Sequence, residues 1–279
     1  MKRFPLLLIF LLLASPGFAQ KKEKLKGSRN VTTGQREIGG FENLEVEDNI
    51  EVFLIAGDKT ELEIDADDNI HDAIAINLKD GTLRLSTSQE IIGAKKVSVK
   101  VTYTSDFKMA IAKDDSRITS LTDMKLDNFT FKTFGSSKIY ATIKSKVFTL
   151  MANDKSKTEL NLAAEISTVE LSKNAQLKAL ISAPKLKFDM YQKSLATVEG
   201  DVTDLKLRLD NNANFTGKNL TAKTAEMIME GNANGSLTVA TLVVIDASGK
   251  SDIELLGEPK IEIRKFTDNA SIRKKQLKP

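Results

Sequence analysis

The sequence contains no cysteine, no tryptophan and only one histidine. Without cysteine the chain forms no disulfides, so its fold must be stable through burial alone, and lipidation at a cysteine is excluded. The histidine, His71, lies on a polar stretch beside Asp68 and Asp72 and has no partner for a catalytic triad or a three-histidine zinc site. We therefore expect His71 to be an exposed turn residue.

Tyrosine and proline are also scarce. The chain has three tyrosines, and sugar-binding grooves usually use exposed Trp or Tyr rings as stacking platforms, so we do not expect a deep saccharide cleft. After the first residues only Pro184, Pro259 and Pro279 remain. Apolar patterns with a helical period are hard to find, which disfavours a helical fold.

The first residues have the layout of a secretory signal peptide. Lys2 and Arg3 precede an apolar run over residues 4–13, and the small residues before Gln20 predict cleavage after Ala19. A retained membrane anchor is the alternative, but a spanning helix needs roughly 20 apolar residues. We assign residues 1–19 to a signal peptide. We expect a protein that is periplasmic, outer-surface or secreted, with no transmembrane segment in the mature chain.

The charge balance disfavours a nucleic-acid binder. The formal charge of +3 falls to +1 once Lys2 and Arg3 are removed, whereas nucleic-acid binding depends on many cations that neutralise phosphates. Local basic excesses remain at the two ends. We expect residues 20–30 to be a basic flexible N terminus and residues 273–279 to be a basic C-terminal tail.

Alternation of apolar and polar residues is the dominant pattern and predicts β strands. Leu62, Ile64 and Ala66 alternate with acidic residues, and the same period occurs over residues 97–103 and 205–210. Such strands turn one face to a core and the other to water. We therefore expect an all-β protein.

The second part of the chain contains a repeat. A small residue recurs just after a polar turn and just before a strand, at intervals of 18 to 21 residues: Ser116, Ser137, Ser156, Ala175, Ser194, Ala213, Ala233, Ser251 and Ala270. An apolar pair precedes each later turn: Phe129/Phe131, Phe148/Leu150, Val169/Leu171, Leu186/Phe188, Leu207/Leu209, Met227/Met229, Leu242/Val244 and Ile261/Ile263.

This period favours a parallel β-helix with about 20 residues per coil, since a unit of that size buries its apolar face only by stacking on a neighbour. An antiparallel meander of short hairpins is the alternative, and it explains the regular spacing less well. The turn residues suit positive φ, which Gly and Asn tolerate: Gly135, Asn153-Asp154, Asn174, Asn211-Asn212, Gly231-Asn232 and Ser248-Gly249.

The repeat also suggests how the chain is divided. We assign residues 31–272 to a single β-helix domain, with regular coils over 104–272 and a less regular β cap over 31–103. A solenoid needs a cap at an open end, and the irregular first part is the natural candidate. Asp80-Gly81 between two apolar runs predicts a tight hairpin inside that cap.

Four segments of the cap have a recognisable order. They are VTTGQREIGGFENLEV (31–46), VFLIAGD (52–58), LEIDA (62–66) and DGTL (80–83). With the small-residue repeat after them, they resemble the bacterial family of putative auto-transporter adhesins with the head GIN domain, over about residues 31–264. The resemblance implies a right-handed β-helix related in shape to pectin lyases, an extracytoplasmic location and a role in adhesion.

No constellation in the sequence indicates catalysis or a cofactor. Glycosidases need two carboxylates in a fixed geometry, but the closest acidic pairs, such as Asp114-Asp115 and Asp201/Asp204, fit solvated bends. Asp65, Asp67 and Asp68 place oxygen ligands at near-alternate positions, as in a weak calcium site. They lack the Gly and distal Glu of an EF-hand loop, so we predict no metal and leave calcium binding there as an open question.

Together these features predict a non-catalytic, exported binding protein. It would be a monomeric cell-surface adhesin that presents a rigid β-helix to an extracellular polysaccharide or protein. Two alternatives stay open: a polysaccharide lyase or hydrolase on a pectin-lyase-like scaffold, and a structural envelope protein. A groove with clustered acids and a Lys or Arg on adjacent coils would favour the enzyme, for example if Lys206 and Arg208 faced Lys187 and Asp189.

Overall fold

The computed structural model describes residues 22–275, so the predicted signal peptide lies outside the described residues. The strands are β1 (Lys24–Lys26), β2 (Val31–Glu37), β3 (Asn43–Val46), β4 (Glu51–Ala56), β5 (Glu61–Asp67), β6 (Ile74–Lys79), β7 (Thr82–Thr87), β8 (Glu90–Ile92), β9 (Val97–Tyr103), β10 (Met109–Ala112), β11 (Arg117–Ser120), β12 (Met124–Thr133), β13 (Lys138–Ala152), β14 (Lys157–Leu171), β15 (Gln176–Met190), β16 (Leu195–Leu209), β17 (Asn214–Met229), β18 (Asn234–Ala247), β19 (Asp252–Leu256), β20 (Lys260–Phe266) and β21 (Ser271–Lys275). A short 3-10 turn spans His71–Ala73. No helix within residues 22–275 is long and apolar enough to cross a membrane.

The regular part of the fold is a ladder of parallel strands, which confirms the predicted β-helix. Strands β13 to β18 each wrap most of one coil, and each pairs in parallel with the next. The register partners Lys138, Lys157, Gln176 and Leu195 are 19 residues apart. The meander of hairpins is therefore excluded for this part of the chain. The right-handed sense stays a prediction of the family resemblance.

The column of small residues lies inside the tight turns, as the repeat predicts. Ser116, Ser137, Ser156 and Ala175 are all completely buried. Each closes a turn through its own N–H, as in Ser156 N–H to the Asn153 carbonyl at 3.2 Å, and each carbonyl accepts from the next coil. A side chain larger than Ser or Ala at this position would keep adjacent turns from approaching.

The second residue of each turn adopts a positive φ. Gly135, Asp154, Asn211, Gly231 and Gly249 were expected there and are confirmed. The expectation was wrong at one turn, where Lys173 and not Asn174 has positive φ, and Gln192 fills the same role in the following coil. Long polar residues at these two positions gave no signal, because positive φ is uncommon for residues other than Gly, Asn and Asp.

The interior is a set of apolar columns that continue from coil to coil. The predicted pairs from Phe129/Phe131 through Met227/Met229 are buried. The prediction that Leu242 and Val244 face inward is wrong, because Val243 and Ile245 are the buried pair. Residues 242–245 are all apolar, so alternation does not reveal which side faces inward. Ile261 and Ile263 are in register with the buried pair but are 39% and 53% exposed, since no further described coil covers β20.

The cap contains an exchange in coil order that the sequence pattern did not reveal. The coil formed by β3 and β4 lies between two coils that follow it in sequence. Strands β7 and β9 pair with β3 and β4 on one side, whereas β10 and β11 pair with them on the other. The antiparallel strands β5 and β2 close one edge. The hairpin predicted at Asp80-Gly81 is confirmed by the antiparallel pairing of β6 with β7.

Because of this exchange, the segment between β9 and β10 passes the coil formed by β3 and β4. A buried aromatic cluster packs around this crossing segment. Phe107 lies in the crossing segment and is 1% exposed. Its ring centroid is 5.0 Å from those of Tyr103 and Phe129 and 5.6 Å from that of Phe41. Tilted and edge-on pairs at these distances add to the free energy of burial.

Parts of both basic ends are ordered strands, although we expected residues 20–30 to be flexible. Lys24–Lys26 pairs in parallel with β8. Residues 271–275 pair with β19, and the ammonium group of Lys275 lies 2.9 Å from the Glu254 carboxylate. Acidic partners on the neighbouring strand explain why basic residues extend the ladder here.

An ion network ties the exchanged coils together. The Arg84 guanidinium lies 2.5 Å from Glu47, and the Lys113 ammonium lies 2.6 Å from Glu45 and 2.9 Å from Glu47. Burial by itself raises the Glu47 pKa, but the hydrogen bonds from Arg84 and Lys113 outweigh it and lower the pKa from 4.5 to about 2. The charged form of Glu47 is therefore favoured in the folded state.

The Glu47 network should make part of the stability depend on pH. A carboxyl whose pKa is lowered by folding stabilises the protein fully above its unfolded pKa, and that contribution is lost as pH falls through the folded pKa. We expect the difference in melting temperature between wild type and Glu47→Gln to be constant above pH 4.5 and to vanish towards pH 2. Thermal unfolding between pH 2 and 7 measures it. A difference that does not change over this range would contradict the network.

The aromatic cluster predicts a localised sensitivity to truncation. Phe107→Ala should cost about 3–5 kcal/mol of unfolding free energy, because it leaves a cavity among three rings. Phe266→Ala, at an exposed position of β20, should cost under about 1 kcal/mol. Urea denaturation of both variants compares them, and equal losses would show that the crossing segment is not specially held.

Candidate functional site

The acidic residue Asp67, a candidate calcium ligand, is instead an anchor of the cap. It is fully buried. Its carboxylate accepts hydrogen bonds from the backbone N–H groups of Arg29 at 2.7 Å and of Lys95 and Lys96 at 3.1 Å. Burial raises the Asp67 pKa, but these N–H donors outweigh it and hold the pKa below its usual range. The carboxylate thus joins the N-terminal segment to the loop before β9.

The two neighbouring carboxylates are also occupied by donors. Asp65 accepts from Lys96 at 2.8 Å and from Thr33 at 2.6 Å, and Asp68 accepts from Ser28 at 2.5 Å. Within residues 22–275 no group of three or more His, Cys, Asp or Glu side chains could hold a metal ion. The geometry therefore gives the acidic stretch a structural role.

The remaining candidates from the sequence are dispersed. The His71 Nε2 atom lies 3.0 Å from the Thr32 hydroxyl. Asp114 accepts from the backbone N–H of Asp48 at 3.1 Å, and Asp204 accepts from the Thr224 hydroxyl at 2.7 Å. Each of these contacts is with a threonine hydroxyl or a backbone group, and the three contacts involve different strands and turns.

The structure does assemble one charged cluster that the sequence singled out. Lys187 and Lys206 are register partners, and so are Asp189 and Arg208. All four lie on the outer surface of the β-helix, in the second half of the long strand that forms each coil. We call this surface the second-half face. An open groove of about 650 Å³ on this face includes Ile166, Lys185, Lys187, Lys206, Leu242 and Val244 among its lining residues.

The protonation states in this cluster do not suit proton abstraction. The Asp189 carboxylate, 2.9 Å from the Lys187 ammonium, raises the Lys187 pKa. Burial, followed by the Asp189 charge, raises the Tyr191 pKa. A general base must be unprotonated at the working pH, and both groups are held in the protonated form. Neither Lys187 nor Tyr191 is therefore poised to abstract a proton.

A second groove lies on the outer surface formed by the first half of the long strand in each coil. We call this surface the first-half face. This first-half groove has a volume of about 520 Å³, and its lining includes Thr119, Tyr140, Glu159, Asn161, Lys178 and Leu180. Tyr140 is partly exposed there, whereas Tyr103 is buried. The Arg117 guanidinium lies 6.0 Å from the Tyr140 ring centroid, at the outer limit for a cation–π contact.

Sequence reasoning missed three cations beside the first-half groove. Each lies two residues before a residue that lines the groove, and we call this row the rim. Arg117, Lys138 and Lys157 are register partners on three consecutive coils. A signal for them existed, because each directly follows a member of the small-residue column, at Ser116, Ser137 and Ser156. Comparing that position across the repeats would have found a run of cations on one outer face.

Comparisons with known proteins agree with this architecture. The family model described as "Putative auto-transporter adhesin, head GIN domain" matches residues 40–179 and 157–259. A search of curated proteins gave no match. A crystal structure of a putative adhesin from Parabacteroides merdae superimposes with a TM-score of 0.68 at 12% identity, over 92% of this chain and 100% of that chain.

Two proteins from Parabacteroides distasonis are also similar. A putative adhesin has a TM-score of 0.68 at 15% identity, over 90% of this chain and 100% of that chain. A putative lipid binding protein has a TM-score of 0.61 at 15% identity, over 90% and 99%. At these identities the likeness shows a shared fold. The family match spans most of the sequence, and the chain belongs to the family of putative auto-transporter adhesins with the head GIN domain.

Proposed function

We propose that the protein is an exported, non-catalytic binding protein that presents the first-half groove to an extracellular polysaccharide or protein. The observation that carries the proposal is the groove itself. It combines the Tyr140 ring with Asn161, Lys178 and Glu159 on adjacent coils. An apolar ring surface with a few convergent polar groups is the usual composition of a ligand site.

The β-helix suits this role because it holds the groove residues in place before a ligand arrives. Their strands are hydrogen-bonded on both sides by neighbouring coils. A ligand that binds such a surface does not need to order the backbone, so less of the interaction energy is spent on conformational entropy.

The location and assembly state belong to the same proposal. Residues 1–19 direct export, and the mature protein is periplasmic, outer-surface or secreted. It is monomeric in the proposal, supported by charges on the edge strand of the last described coil. Lys274 is the register partner of the buried Leu255 and its ammonium group pairs with Glu258, and charged residues on an edge strand protect it from pairing with another chain.

A polysaccharide lyase or hydrolase is the second candidate, favoured by the cluster of Lys187, Asp189, Lys206 and Arg208 on adjacent coils. This is the arrangement that would distinguish an enzyme from a binder. The raised pKa of Lys187 and that of Tyr191 oppose it, because neither group is poised to accept a proton. We therefore keep the binding function as the conclusion.

The binding proposal predicts a ligand on a glycan and extracellular-matrix array probed with the mature protein. Tyr140→Ala should weaken that binding about tenfold, because it removes the ring from the groove. Tyr191→Ala is the matched control on the second-half face and should bind like wild type. The proposal fails if the array shows no ligand, or if only the Tyr191 variant loses binding.

The non-catalytic assignment predicts that incubation with acidic polysaccharides releases no unsaturated sugars. Absorbance at the wavelength of the unsaturated product follows this directly. Time-dependent product formation that disappears in Lys187→Ala or Arg208→Ala would establish the enzyme in place of the binder.

A further inference from the structure

The rim beside the first-half groove consists of three cations on adjacent coils. Arg117, Lys138 and Lys157 are direct partners on three consecutive coils, so their backbones are about 4.8 Å apart. All three side chains point to the outer surface. One positive charge per coil is thus present on three consecutive coils.

This arrangement is unfavourable for the protein alone. Like charges directly opposite each other on neighbouring strands destabilise a sheet. Arg117 has a partner in Glu51 at 3.0 Å. Within the described residues neither Lys138 nor Lys157 forms an ion pair. Solvent or a ligand must therefore offset the repulsion between these two side chains.

The other charges of the groove leave the cations in excess. Lys178 adds a fourth positive charge, and it is the register partner of Glu159. Glu199 is the second carboxylate among the lining residues. Neither glutamate forms an ion pair with the rim. A ligand aligned with the rim first meets Lys157 and Lys138, which form no ion pair within the described residues, and then Arg117, which already contacts Glu51.

We propose that this groove binds an acidic polysaccharide, with its carboxylate or sulfate groups along the Arg117, Lys138 and Lys157 rim and a sugar ring over Tyr140. This inference rests on the proposed binding function and names its ligand class. A polymer with one anion per sugar offers a linear series of charges, as the rim does. A lipid headgroup or a free anion engages one or two cations and does not use the series.

The test is the affinity of the mature protein for polygalacturonate compared with a neutral galactan of similar length. Lys138→Gln/Lys157→Gln should weaken polygalacturonate binding about tenfold, since it removes two exposed charges that face the anions of the polymer. The control is Lys223→Gln/Lys250→Gln. It removes the same charge from exposed positions outside the groove and should bind like wild type. Binding should also weaken with added salt.

A variant that binds more tightly provides a control for misfolding, because a misfolded variant would bind more weakly. Glu159→Gln removes a carboxylate beside the rim and should tighten polygalacturonate binding severalfold. In the absence of ligand, the melting temperature of Lys138→Gln/Lys157→Gln should equal or exceed that of wild type, because a repulsion is removed.

The outcomes separate this inference from the function on which it rests. Equal affinity for the neutral galactan, or for polyglutamate, would overturn the acidic polysaccharide as the ligand class. Unchanged affinity in the rim variant would do the same, although the binding function would stand if the array gave another ligand that needs Tyr140. Failure of every polymer and protein to bind would overturn the binding function itself.

Discussion

The fold depends on burying a very small side chain inside the tight turns between stacked coils. Ser or Ala at this column lets successive turns approach until their backbone N–H and C=O groups bond from coil to coil. Those bonds satisfy polar groups that would otherwise be buried without partners. They also set the register of every outer residue, so the positions of Tyr140 and Lys138 on the surface follow from the size of Ser137.

The same constraint explains which parts of the molecule the sequence could predict. Small residues and turns recur with a fixed period, so the coils, the hairpin at Asp80-Gly81 and the buried columns follow from local patterns. Residues 242–245 are apolar at every position, and alternation therefore assigned the wrong pair. The exchange of β3 and β4 with β7 and β9 depends on pairings far apart in the chain, and no local pattern encodes it.

The candidate site was less predictable than the fold, for a physical reason. A binding surface on a β-helix is built from residues one coil apart, so its chemistry is dispersed over the sequence. Arg117, Lys138 and Lys157 look like ordinary exposed cations until the register places them side by side. Asp67 shows the reverse case, because an acidic stretch that resembles a ligand set is used to bind backbone N–H groups.

The cation rim and the aromatic ring give the first-half face a chemistry that the second-half face lacks, since the cations there are largely paired with carboxylates. The most direct measurement is lysine labelling of the mature protein with and without polygalacturonate, read out residue by residue. Our account predicts that Lys138, Lys157 and Lys178 are protected while Lys187 and Lys206 are labelled as before. Protection confined to Lys187 and Lys206 would contradict it.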